Sequence, residues 1–301
     1  MPALARAARG LLNANALRQL ANPLRARHPA LYARINAMRK KLLSGRSGVD
    51  AYQANALRGF SEVAEVPGAR ILEIGSDVGL SVLKRLLTEG AREAVGINNA
   101  PEIWKEHPGA WIERGRLRLI DAAAERMPFE SESFDFVFSV ATFEHILDLP
   151  RALSEMHRVL RPGGLLYTNF GPIWSGGKGH HLRVEVDGVE LRHFMPETNP
   201  LPDFVHLLLS PDQLRDSLSG RLDEKLVEPV VHWVYRDRGI NRLFHADYLR
   251  IFDESAFSVR RLRAERDPLD LQLRRLLALR HPGESSFEVT NLEAVLTKAA
   301  G

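Results

Sequence analysis

The chain has 301 residues, of which 45% are hydrophobic and 26% charged, and it has no cysteine. Disulfides, thiolate nucleophiles and cysteine-ligated zinc are therefore excluded, and no apolar run approaches the roughly 18 residues that cross a bilayer. The length suits one large α/β domain with attachments, or two small ones.

The net charge of +3 is unevenly distributed. The first acidic residue is Asp50, and eight Arg and two Lys precede it. The rest of the chain carries 31 basic against 38 acidic side chains, a balance of −7. Such an acid-free, Arg- and Ala-rich start can be a transit peptide, but this one is poor in serine and long. Leu4, Ala8, Leu11 and Leu12, then Leu31, Ile35, Met38 and Leu42, recur at helical spacing. Residues 1–60 are read as a basic helical arm on a cytoplasmic protein of bacterial type. Its apolar stripe packs on the core, or its Arg face meets a membrane surface. Nucleic acid is not expected, because no aromatic residues are interleaved for base stacking.

The domain read from residue 61 onward shows, from residue 70, short apolar runs alternating with amphipathic ones, the pattern of βαβ units and a parallel sheet. Arg70–Ile74 reads as the first strand, and Leu80, Leu83 and Leu87 give the next helix a buried stripe that Gly90 closes. Residues 94–97 and 117–120 are the second and third strands, and Phe134–Val140 (FDFVFSV) is the fourth. Asp148 caps a helix carrying Leu149, Leu153, Met156 and Leu160, which stops at Pro162-Gly163. A fifth strand covers 165–169. The segment at about 171–210 is rich in Gly, Pro and His; its Asp187-Gly188 dipeptide favours a type I′ hairpin. It reads as an insertion over the strand ends. Helical patterning returns at 212–218 and 248–256, and strands at 258–263 and 292–297 close the chain.

The stretch Glu73-Ile74-Gly75-Ser76-Asp77-Val78-Gly79 sits at a strand-to-helix turn. Its glycines let backbone approach a ligand at the carboxyl edge of the sheet. The G-x-G-x-x-G and G-K-S/T patterns of pyrophosphate-binding loops are absent. A carboxylate two residues before the first glycine favours a cationic or hydroxyl-bearing ligand instead.

This E-x-G-x-x-x-G segment resembles the glycine motif of class I S-adenosylmethionine-dependent methyltransferases of the type 11-like group. Asp121-Ala122, the Pro128-Phe129 and Ser133-Phe134-Asp135 run, Glu144-His145 and the RVLRPGGLL segment at 158–166 follow in that family's order. The resemblance covers about 62–170, with a weaker echo over 248–298. It implies a doubly wound, mostly parallel seven-stranded sheet of Rossmann-like methyltransferase type whose last strand is antiparallel, carrying the helical arm and a lid insertion after strand five. The cofactor implied is S-adenosyl-L-methionine, bound by Glu73, Gly75, Ser76, Asp77, Gly79, Asn98, Asn99, Asp121, Ala122, Ser139 and Glu144. Two positions depart from the family pattern. Asp77 stands where glycine is common, and Asn98 where an acid commonly takes the ribose hydroxyls; either cofactor affinity is lower, or Asn99 or Glu102 shares that role.

Methyl transfer needs alignment and exclusion of water, and an oxygen acceptor often needs a general base. His180 and His181, in GPIWSGGKGHHL, are the candidates; a lid histidine bonded to backbone is the alternative reading. His193 and His206 add no strong metal-ligand spacing, so no metal is expected. Trp174, Phe194, Phe204 and Trp233 either wall an apolar acceptor pocket or belong to the core. The expected activity is O-methylation of a small or medium-sized molecule. C- or N-methylation of a natural product or lipid, and a non-catalytic binding protein of the same fold, stay open.

Overall fold

The computed structural model describes residues 49–101, 105 and 111–301, with backbone alone at 111–114. The arm as far as residue 48, and Glu102, lie outside the described residues. The described residues form two compact units: one within 49–171, Asp247–Glu265 and Asn291–Gly301, the other of Pro172–Ala246 and Arg266–Thr290.

In the first unit helix α1 (Ala51–Ser61) opens on a capping box, in which Asp50 and Gln53 each accept the other's backbone N–H. Strand β1 (Arg70–Ile74) follows, then α2 (Ser81–Thr88), β2 (Glu93–Asn98), β3 (Trp111–Arg114), β4 (Leu117–Asp121) and β5 (Phe134–Val140). A short 3-10 turn (Phe143–His145) leads to α3 (Leu149–Val159), capped by Asp148, and β6 (Leu160–Phe170). The strands align in the order β3-β4-β2-β1-β5-β6-β10-β9, where β9 is Ser258–Arg266 and β10 is Val289–Thr297.

The pairs β2–β4, β1–β2, β1–β5 and β5–β6 are parallel, and β10 runs antiparallel to β6. The seven expected strands are all present. An eighth, β3, is added at the edge as an antiparallel partner of β4. Adjacent β1 residues Ile71 and Leu72 point to opposite faces and neither is exposed, so both faces of the sheet are covered. The order reverses at β1, because β2 lies on one side and β5 on the other. That places the switch point, where such sheets bind ligands, at the carboxyl ends of β1 and β5.

Helix α1, assigned to the arm from sequence, packs with the sheet. Ala56, Leu57 and Phe60 are buried in the cluster that holds Ile71, Phe138 and Tyr167. The Phe60 ring meets Phe136, Phe138 and Tyr167 edge-on, with centroids 5.3–5.8 Å apart.

The second unit extends well beyond 171–210. It contains the hairpin β7 (Arg183–Val186) and β8 (Val189–Arg192), then α4 (Val205–Leu208), α5 (Pro211–Leu218) and α6 (Glu224–Tyr235). Helix α7 (His245–Glu254) begins in this unit and ends in the first; α8 (Leu271–Arg280) completes the second. The hairpin turns at Asp187 and Gly188, both at positive φ (49° and 75°), the type I′ geometry expected of that dipeptide. Lys225 on α6 pairs with the Asp187 carboxylate at 3.0 Å. Leu182, Val184 and Leu191 pack with Leu214, Leu226 and Val230, giving the unit its own apolar core.

Candidate cofactor site at the carboxyl edge of the sheet

The loop after β1 is tied to β2: the Gly75 and Ser76 N–H groups both donate to the Ile97 carbonyl, at 2.9 and 3.2 Å. Gly75 is at φ 84°, where L side chains are strained. A Cβ there would overlap Thr142, which follows β5, at its Oγ1, Cγ2 and Cβ, the last 2.9 Å away. Glycine is required by two independent causes, backbone conformation and the approach of the β5 loop.

Glu73 is fully buried, and Ser76 Oγ donates to it at 2.7 Å. Burial pushes its carboxyl up to about 8; the Ser76 hydrogen bond opposes the shift and the neighbouring Asp77 adds to it. Asp77 is not left-handed. Leu80 takes the positive φ (55°) instead, and Asp77 caps α2 by accepting the Ser81 N–H at 3.1 Å. Its other oxygen accepts from Gln53 Nε2 at 2.7 Å. The residue that breaks the glycine pattern thus joins the loop to α1.

Asn98, at the end of β2, donates from Nδ2 to the Ser76 carbonyl at 2.9 Å and accepts the Ala100 N–H at 2.7 Å. Its amide braces two loops in the structure. Replacing it with aspartate removes the donor and sets a carboxylate against the carbonyl. Asn98→Asp is expected to lower unfolding free energy by about 1–3 kcal/mol, the cost of one unsatisfied polar group; chemical denaturation measures it. Asn99 beside it is exposed.

Asp121 lies in register with Asn98 at the end of β4 and is exposed, with Ala122 half-buried after it. Ser139, near the end of β5, is buried and donates to the Ile74 carbonyl at 3.2 Å. Glu144, in the 3-10 turn, is fully buried. One carboxylate oxygen accepts the Gly171 N–H at 3.2 Å, and the other has no hydrogen-bond partner. Burial raises its pKa, against the opposing influence of His145.

Three residues missed in the sequence belong to the same strand ends: Tyr52, whose hydroxyl donates to Asn169 Oδ1 at 2.8 Å, Asn169 itself near the end of β6, and Gln53. Burial, then the Glu144 charge, raises the Tyr52 phenol above its ordinary value. The Asp50-x-x-Gln53 capping box was the signal that a helix begins there.

The candidate bases lie in the second unit, both buried. His180 Nδ1 accepts the Leu182 N–H at 3.1 Å, and burial, then His206, holds its pKa well below the histidine range. His181 sits at φ 46° with Nε2 against the Pro172 carbonyl. The adjoining glycines allow close packing: a Cβ on Gly179 would overlap the carbonyls of Ile173 and Trp174. Trp174 and Phe204 are buried together, Trp233 is half-buried, and Phe194 is 61% exposed.

Among proteins of known family, the profile of a methyltransferase domain matches residues 72–168. Phthiotriol/phenolphthiotriol dimycocerosates methyltransferase 1 of Mycobacterium ulcerans is 38% identical over 115 residues, 36% of this chain and 40% of that protein. The malonyl-[acyl-carrier protein] O-methyltransferase of Halorhodospira halophila is 30% identical over 114 residues, 37% of this chain and 38% of that protein. The ubiquinone/menaquinone biosynthesis C-methyltransferase UbiE of Geotalea daltonii is 30% identical over 109 residues, 34% of this chain and 46% of that protein. These alignments span less than half the length of each relative. No helix among the described residues is long and apolar enough to cross a membrane.

Proposed function

With a class I S-adenosylmethionine-dependent methyltransferase domain at residues 72–168 as the premise, we propose that the chain as a whole methylates a small or medium-sized acceptor at oxygen. The observation that carries the cofactor half of this reading is the pair of buried carboxyls, Glu73 and Glu144, at the carboxyl edge of β1 and after β5; the oxygen acceptor rests on the buried histidines His180 and His181. A buried carboxyl with an unpartnered oxygen awaits a donor or a cation, and S-adenosylmethionine offers both: an amino group, ribose hydroxyls and a sulfonium. The donor set fits. Glu73 and Glu144 answer positive charge and N–H or O–H donors, and Asp121, exposed at the end of β4, can accept from a further donor.

When bound, the cofactor supplies an electrophilic methyl group on sulfur. The chain's part is orientation. Asp77, Gln53 and Asn98 hold the loops after β1 and β2 in one arrangement, so little conformational freedom remains to be lost on binding. The insertion that follows β6, which carries His180 and His181, is assigned to the acceptor. Relatives that are O- and C-methyltransferases by name match the same segment, so the acceptor atom is decided outside it.

Incubating the protein with methyl-labelled cofactor and a metabolite extract tests the proposal. The expected product is a labelled methyl ether or ester. Label on carbon or nitrogen overturns the oxygen assignment, and cofactor binding with no transfer in any extract overturns the catalytic one.

A further inference from the structure

Beside His180, a second histidine of the same unit, His206 on α4, is buried with a ring nitrogen that has no partner. The two rings lie edge to face, centroids 5.5 Å apart. Their hydrogen bonds settle their tautomers. Leu182 N–H can only donate, so His180 Nδ1 is a lone pair and the ring proton is on Nε2. The Trp174 carbonyl, 2.8 Å from His206 Nε2, can only accept, so that nitrogen carries the proton and Nδ1 is the lone pair. The two nitrogens left over, His180 Nε2 and His206 Nδ1, are both buried and both without a partner. One is an N–H donor and the other an acceptor.

We infer that His180 and His206 together seat one hydroxyl oxygen of an alcohol or phenol, His180 Nε2–H donating to it and His206 Nδ1 accepting its proton. A hydroxyl is the smallest group that satisfies a donor and an acceptor at once. A metal ion is a poor occupant, because His180 Nε2 carries a proton as long as Nδ1 faces the Leu182 N–H. A carboxylate is poor as well, since it cannot donate to His206. The neutral forms persist: burial takes the His206 pKa down to about 4, and burial with the nearby His206, His193, His181 and Lys178 takes His180 far below its ordinary value. With so low a pKa, His206 orients the hydroxyl and does not remove its proton. Trp174, whose ring centroid is 4.5 Å from that of His206, and Trp233, whose indole N–H donates to the His180 carbonyl at 3.0 Å, hold the pair in place.

The inference deepens the oxygen-acceptor reading and rests on it for the identity of the ligand. Its test needs no cofactor, so its failure is distinguishable from failure of methyl transfer. Nitrogen-15 spectra of the full chain report each ring nitrogen, with His180→Phe and His206→Phe used for assignment. Phenol, anisole and toluene are the probes. Phenol is expected to shift both His206 Nδ1 and His180 Nε2, anisole His180 Nε2 alone, and toluene neither. Phenol should bind roughly tenfold or more tighter than toluene, as two added hydrogen bonds imply, and each Phe variant should reduce that preference. Should a variant not fold, the wild-type spectra decide alone. Identical responses to phenol and toluene overturn the inference. So does a nitrogen–nitrogen coupling across a direct His180–His206 hydrogen bond, or a bound water at these nitrogens that saturating phenol leaves in place.

Discussion

Replacing Glu73 with glutamine is expected to weaken S-adenosylhomocysteine binding by roughly 10–150-fold, the worth of a hydrogen bond to a charged group. It should also abolish the proton release that accompanies binding to the wild-type protein. The buried Glu73 carboxyl is pushed up to about 8, so at pH 6.5 it is protonated in the free protein. A ligand cation beside it favours the carboxylate and expels that proton. Calorimetry in buffers of different ionisation enthalpy should show close to one proton released at pH 6.5 in the wild type and none in Glu73→Gln. Wild-type affinity should rise with pH toward 8.

Stability moves the other way. A carboxyl whose folded pKa lies above its unfolded value of about 4.5 leaves the native state holding the extra proton between those two values. Stability therefore falls as pH rises from about 4.5 to about 8, by up to a few kcal/mol at about 1.4 kcal/mol per pH unit. Glu73→Gln keeps an acceptor for Ser76 Oγ and carries no ionisable group. It should equal the wild type near pH 5 and exceed it at pH 8. Unchanged affinity and unchanged proton release in Glu73→Gln would falsify the assignment of this residue to the cofactor.

Gly75→Ala is expected to cost roughly 2–4 kcal/mol of stability and to remove measurable cofactor binding. The left-handed backbone accounts for about 1–2 kcal/mol, and the overlap with Thr142 for the remainder. The two causes separate in a double variant. Adding Thr142→Gly to Gly75→Ala clears the overlap and leaves φ at 84°, so only the overlap share should return. Denaturant titrations of the single and double variants measure this. Full recovery, or none, would show that one cause acts alone.

Much of the sheet was legible in the residues. Arg70–Ile74 and Phe134–Val140 fall where their apolar runs place them, because a strand buried on both faces needs continuous apolar side chains. Asp148 and Asp187-Gly188 did what their local chemistry requires, one capping a helix and the other turning a hairpin. Helix α6 was hidden by Pro229, which reads as a breaker, yet Val227, Val230 and Val234 bury its apolar face. Helix α8 was hidden for another reason: its leucines circle the helix, with Leu271 and Leu279 exposed, so no single periodic face stands out.

The cofactor loop shows where local reasoning ends. Its glycines and acid were readable from sequence because backbone conformation and charge are properties of single residues. Sequence alone determined the parallel sheet, the turn at Gly75 and the acid at its edge. Tertiary structure alone decided that Asp77 binds Gln53 of a preceding helix, that Asn98 braces Ser76, and that the second histidine of the buried pair is His206 and not His181. Each of these is a hydrogen bond or ring contact between residues more than 20 positions apart. Such pairings form only when packing brings the partners into hydrogen-bond or ring contact, and no periodicity or spacing along the chain encodes them.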